Sequence, residues 1–184
     1  YDVNRMGFSQ LVEWYALRQA FALNEIAPNK PGYQEQMRRQ RDRIKGGFVY
    51  EPKPGLYQEM VVIDYRSLYP SIIASHNISP GMHGCTCCED APRIITDRGT
   101  FWYCKKRKGF VSGVIQDLIT RRARIKDIIK KGKNDPFLAA RSQALKDLAN
   151  SFYGYLGFSV ARWYDITCAE STTAWGRQYV TNVM

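Results

Sequence analysis

No apolar run in this chain approaches the ~20 residues needed to span a bilayer. The opening residues, Tyr1 to Gly7, carry neither an initiator Met nor a signal-peptide pattern. A membrane span and a secretory leader are therefore not expected, and the segment reads as an internal piece of a longer polypeptide. An acidic surplus is also missing. Lys and Arg number 27 against 17 Asp and Glu, a formal net charge of +10. That balance favours a polyanionic partner. Since no basic amphipathic helix has the wide apolar face that lipid binding requires, nucleic acid is preferred over membrane. Internal repeats and low-complexity stretches are lacking too. Five cysteines are an odd number, and four of them crowd at 85, 87, 88 and 104, unlike a secreted disulfide framework. What the chain does have is 45% hydrophobic residues over 184 positions, enough for one domain or two small subdomains with a real core.

Apolar residues at helical spacing (Phe8, Leu11, Val12, Tyr15, Phe21) predict a helix over 8–24. Residues 28–45 are polar and basic, and read as either a solvated linker or a phosphate-tracking segment. Strands are expected at Phe48–Glu51 and Leu56–Tyr65, separated by the turn Pro52-Lys53-Pro54-Gly55. Pro70 suits the first turn of a helix to about His76, and 77–109 is expected to be irregular. A helix from about Val111 to Lys131 and another from Pro136 to about Gly154 form a hairpin with a polar tip. Strand-like residues at 157–164 and a last helix from about Ile166 complete the pattern.

Two strings carry the chemistry. The first is Asp64-Tyr65-Arg66-Ser67-Leu68-Tyr69-Pro70-Ser71-Ile72-Ile73. It places a carboxylate at the end of the apolar run Met60-Val61-Val62-Ile63 and then opens a helix. An Asp there is an ordinary cap or turn residue, or a metal ligand. The amides that open the helix favour a phosphate. The second string is Lys146-Asp147-Leu148-Ala149-Asn150-Ser151-Phe152-Tyr153-Gly154. Helical spacing puts Lys146, Asn150 and Tyr153 on one face. On the preceding helix Arg122 and Lys126 interrupt the apolar stripe of Ile115, Leu118, Ile119 and Ile125, and a charge in that place needs a reason. Packed antiparallel, the helices would bring Arg122, Lys126, Lys146 and Asn150 onto one anion.

The first string resembles the first motif of family B (alpha-like) DNA polymerases, and the second resembles their fingers motif. The likeness runs from about Asn29 to Arg177 and is closest to archaeal replicative enzymes. It implies an α+β fold: a partial palm of antiparallel strands with helices, plus a helical-hairpin fingers subdomain. The divisions would be 1–108 (palm part and Cys-containing loop), 109–155 (fingers) and 156–184 (return to the palm). It implies that Asp64 is a catalytic ligand to two Mg2+ ions. Ser67 and Leu68 would offer amides to the triphosphate, and Tyr69 would be the steric gate against a ribose 2′-hydroxyl. Arg122, Lys126, Lys146, Asn150 and Tyr153 would bind the incoming nucleotide. Gly46 and Gly47 match the glycines of a Tyr-x-Gly-Gly template motif whose Tyr is Ile44 here. With Gly154, Thr173 and Arg177 they would contact DNA.

Archaeal members also join positions matching Cys85 and Cys104 by a disulfide. A second family bridge is ruled out because Asp165 stands where Cys168 would need a partner. Disulfide and free thiols are ranked ahead of a structural zinc on His83, Cys85, Cys87, Cys88 and Cys104, whose Cys-x-Cys-Cys spacing is tight.

The resemblance implies template-dependent nucleotidyl transfer from dNTP to a primer 3′-hydroxyl by two ions about 4 Å apart. The partners would be primer–template DNA, dNTP, the remainder of the polymerase and a sliding clamp, with no membrane, in a cytoplasmic, nucleoid-associated setting. The family's Asp-Thr-Asp hairpin has no counterpart in the sequence, so this piece alone is expected to be inactive. The alternative is a non-catalytic nucleic-acid-binding module retaining the fold.

Overall fold

The computed structural model describes residues 6–132 and 135–183. The hairpin tip at 133–134, like residues 1–5 and 184, lies outside the described residues. Six helices and one small antiparallel sheet make up the described elements. These are α1 (Phe8–Ala22), α2 (Tyr33–Gln40), α3 (Leu68–Ser75), β1 (Arg93–Thr96), β2 (Gly99–Trp102), α4 (Phe110–Lys130), α5 (Pro136–Leu156) and α6 (Ile166–Val183). Among the described residues no helix is long and apolar enough to cross a membrane.

The core is helical. Val12, Ala16 and Ala20, one turn apart on α1, are buried and pack towards α5. Val111, Val114, Ile115, Leu118 and Ile125 form the buried stripe of α4, and Ala149, Phe152, Tyr155 and Leu156 that of α5. Helix ends are fixed by polar side chains. Asn77 Oδ1 accepts from the Gly109 amide at 2.9 Å and Ser79 Oγ from the Val111 amide at 3.0 Å, so the loop after α3 caps α4. Asp135 caps α5, accepting from the Phe137 amide at 2.8 Å, with Pro136 at the first helical position. Asp165, in place of a second bridging cysteine, accepts from the Cys168 amide at 3.0 Å at the start of α6.

Four local expectations change. Residues 33–40 form α2, on which Arg38 and Arg39 both bind Glu35. The 77–109 segment is not wholly irregular. Ile94 pairs with Phe101 and Thr96 with Gly99 in a hairpin whose turn is held by Thr96 Oγ1 accepting from the Arg98 amide. By contrast, 157–164 forms turns, not a strand. The strands expected at Phe48–Glu51 and Leu56–Tyr65 do not form either. Met60 to Ile63 are 69–88% exposed, because none of the described residues pairs with their backbone. An apolar strand is stable only where a neighbour takes up its N–H and C=O groups.

α3 is pinned to α6 through His76, stacked on Trp175 with centroids 4.0 Å apart and 2.6 Å from the Tyr179 hydroxyl. Burial lowers the His76 pKa from its ordinary 6.5. The unfolded chain therefore takes up that proton more readily. The contribution of the neutral ring is intact above 6.5 and is lost as pH falls below it. Thermal unfolding of His76→Gln should accordingly show a smaller drop in Tm than the parent between about pH 8 and about pH 5.5.

Candidate functional site

The N-terminus of α3 faces the second half of α4 and the middle of α5 across a cleft of about 150 Å³. Arg66 and Ser67 form one wall, Arg122, Lys126 and Lys130 of α4 a second, and Lys146 of α5 the third. Leu118, Ile119, Leu145 and Ala149 supply an apolar floor, and Asp127 is the one acid in the lining. Five cations and one carboxylate give the cleft a strongly positive field. Its effect is visible on Lys126. Arg122 chiefly, then partial burial, then Arg66, Lys130 and Lys146 push that ammonium below its ordinary value.

Two features turn the cleft towards a phosphate. Ser67 sits in the left-handed region at φ 53°, unusual for a residue with a side chain, and its side chain does not cap α3. The first-turn amides of Leu68 and Tyr69 are thereby left without that cap. Ser67 Oγ instead accepts from Arg122 Nη1 at 3.2 Å. The Nε of Arg122 is buried with no hydrogen-bond partner among the described residues. An orphaned guanidinium donor in a cationic cleft is the kind of group an anion satisfies.

Tyr69 stands beside this cleft in a tight cradle. Its ring lies 4.6 Å from that of Tyr153. A Cβ at Gly176 would come within 3.0 Å of the ring, and one at Gly47 within 2.6 Å of the hydroxyl. A side chain at either glycine would therefore displace Tyr69 from this position. The backbone leading to Gly47 is held by α6: Thr173 Oγ1 donates to the Lys45 carbonyl at 2.9 Å, and Arg177 Nη1 to the Gly46 carbonyl at 2.7 Å.

The sequence-derived residues thus divide into groups. Ser67, Arg122, Lys126 and Lys146 converge on the cleft, with Leu68 opening the helix behind them. Tyr69, Tyr153, Gly47, Gly46, Thr173 and Arg177 form the adjoining cradle, linked by ring contact, close approach and hydrogen bonds to the 45–46 backbone. Asn150 and Gly154 are exposed on α5 and do not line the cleft. Cys85 and Cys104 are not joined; all five thiols are free. Sequence reasoning missed Arg66 and Lys130. Arg66 lies inside the first string, and Lys130 follows Lys126 by one helical turn, so spacing alone could have found both.

Asp64 is exposed in the irregular segment before α3, with no partner among the described residues. Nor does a second carboxylate join it: among the described residues, the grouping of three or more candidate ligand side chains is the four cysteines. The donor set does not fit a two-ion magnesium site.

The model of DNA polymerase family B matches residues 3–184. The chain belongs to that family. The DNA polymerase of Pyrococcus glycovorans is 46% identical over 98% of this chain, and that of Thermococcus gorgonarius is likewise 46% identical over 98%. The Archaeoglobus fulgidus DNA polymerase is 39% identical over 97%. The solved family B DNA polymerase of the hyperthermophilic archaeon Pyrobaculum calidifontis superposes with a TM-score of 0.72 at 34% identity, covering 97% of this chain. The chain spans 22–23% of the length of these family B relatives.

Proposed function

We propose that this chain is the palm–fingers portion of a DNA-directed DNA polymerase, with the α4–α5 hairpin as the fingers and the cleft between that hairpin and the start of α3 as the seat of the dNTP triphosphate. The observation that carries this reading is the cationic cleft against the uncapped start of α3, in a chain of family B. Arg122 grips phosphate oxygens with its fork, while Lys126, Lys146, Arg66 and Lys130 supply point charges. The first-turn amides at Leu68 and Tyr69 donate to the same anion. Asp64, two residues before Arg66, would supply one carboxylate of a metal site that the described residues do not complete. With one such carboxylate the chain is not expected to polymerise alone. Primer–template DNA, dNTP and the rest of the polymerase are the partners this reading requires.

Tyr69 gives the test. Wedged among Gly47, Gly176 and Tyr153, its ring is too constrained to move aside for an extra hydroxyl, as a sugar gate must be. In the complete polymerase, Tyr69→Ala should reduce discrimination of dNTP over rNTP in kcat/KM by on the order of 10²-fold. Unaltered discrimination would remove Tyr69 from the sugar pocket. Salt-sensitive DNA binding with no triphosphate preference would favour the non-catalytic module instead.

A further inference from the structure

Four of the five cysteines form a four-sulfur cluster that shares no residue with the lining of the cationic cleft. Cys87 Sγ lies 3.7 Å from Cys88 Sγ and 3.7 Å from Cys104 Sγ, and Cys88 lies 4.0 Å from Cys104. With Cys85, all four sulfurs fall within 4.8 Å of one another. A tetrahedron with metal–sulfur bonds of about 2.3 Å has edges of about 3.8 Å. The resolved spacings match those edges. They leave room for a single ion, and the set is all thiolate, the donor chemistry that selects zinc among common divalent metals.

The backbone holds the cluster in this shape. His83 and Tyr103 bridge antiparallel, the Gly84 amide donates to the Trp102 carbonyl at 3.0 Å, and the Cys104 amide to the Met82 carbonyl at 2.9 Å. These bonds set the start of the loop, carrying Cys85, against the segment just after β2 that carries Cys104. Gly84, at φ 66°, makes the turn between them. Trp102 Nε1 donates to the Cys85 carbonyl at 2.9 Å, and the Lys105 amide donates to Cys88 Sγ at 3.3 Å. An amide aimed at a sulfur is the outer-shell contact that orients a metal thiolate. Cys88 and Cys104 are buried and Cys87 is exposed, so one side of the cluster is open to an incoming ion. A tetrathiolate zinc carries a net charge of −2, and the next four residues are Lys105, Lys106, Arg107 and Lys108.

We propose that Cys85, Cys87, Cys88 and Cys104 hold one structural zinc ion that ties the loop between α3 and β1 to the segment leading into α4. A Cys85–Cys104 disulfide would use two sulfurs and leave the buried Cys88 thiol and Cys87 crowded beside it with no task. One ion engages all four. The Cys-x-Cys-Cys spacing, tight for a zinc knuckle, is accommodated because the fourth ligand arrives from the segment just after β2, which pairs with the loop's own start.

The test uses the 184-residue chain, purified without chelator and without added reductant. Metal analysis should find one zinc per chain, X-ray absorption should report sulfur-only ligation near 2.3 Å, and thiol titration after chelation and denaturation should count all five cysteines. Cys87→Ser, at an exposed position, should lower zinc content at least about tenfold and the Tm with it. A Cys85–Cys104 disulfide would be untouched by that change. Three titratable thiols, five thiols with no zinc, or iron with acid-labile sulfide would each overturn the proposal.

Discussion

In the complete polymerase, Lys146→Ala should lower kcat/KM for dNTP incorporation by about 10²- to 10³-fold, and Arg122→Ala by at least as much. The magnitude is that of removing one preorganised donor from a developing phosphoryl charge in a shielded site. Arg122 carries the greater weight because its fork is already held by Ser67 and its Nε has no other partner among the described residues. A second expectation separates this reading from a merely structural one. The cleft repels itself when empty, since Arg122, Arg66, Lys130 and Lys146 all bear on Lys126. Removing one of these cations should leave the chain equally stable or slightly more stable without ligand, while nucleotide binding collapses. Function-first sites show that trade. Pre-steady-state incorporation against dNTP concentration, beside the Tm of the same variants, reads both. A Lys146→Ala enzyme with parental dNTP affinity would break the link between cleft and triphosphate.

The cleft was legible in the sequence because it depends on helices. Arg122 and Lys126 stood out as charges on an otherwise apolar stripe, and Lys146 by its spacing along α5. Helical periodicity transmits such relations without knowledge of the rest of the fold. Asn150 shows where the rule loosens. It shares a helix with Lys146, but four residues advance 400° and not 360°, so it drifts to the exposed side while Ala149 lines the cleft. The strand around Met60 was read from the same kind of apolar pattern, and its expected form did not appear. A strand is defined by a partner, which a local window cannot supply. The reverse error occurred at Arg93–Trp102. There a β-branched run, Ile94-Ile95-Thr96, and an aromatic one, Thr100-Phe101-Trp102, flank the turn at Asp97-Arg98-Gly99 inside a segment expected to be irregular. The cradle of Tyr69 was only half legible. The glycines at 46 and 47 are expected from the motif to contact DNA, and it is the Tyr69 hydroxyl that occupies the space at 47. That contact joins residues more than a hundred positions apart once α6 is included, and no periodicity encodes it.

Arg98→Ala should destabilise the chain by about 3 kcal/mol, more than any other single surface truncation near the β hairpin. Glu170 is the reason. It lies on α6 only 2% exposed, amid the buried run Ser171, Thr172 and Thr173. Its ionic partner is Arg98, whose Nε stands 3.2 Å from Oε2, within ion-pair range but off the line of a hydrogen bond. Removing the arginine leaves an uncompensated carboxylate in the core, which costs several kcal/mol. The figure sits at the low end of that range because Arg98 is 35% exposed and partly screened. The same guanidinium binds Asp42 at 3.3 Å, and Asp42 accepts from the Tyr164 hydroxyl at 2.8 Å. Arg98 thus fastens the segment that runs on through Lys45 and Gly46 to the tyrosine cradle. Urea unfolding should therefore show a lower midpoint for Arg98→Ala, with much of the loss recovered in Arg98→Ala/Glu170→Gln, where no charge is stranded. Glu170→Gln alone should cost less than Arg98→Ala, since an arginine near the surface returns to water and a buried carboxylate cannot. If the two single variants were equally stable, burial of Glu170 would not be what makes the pair matter.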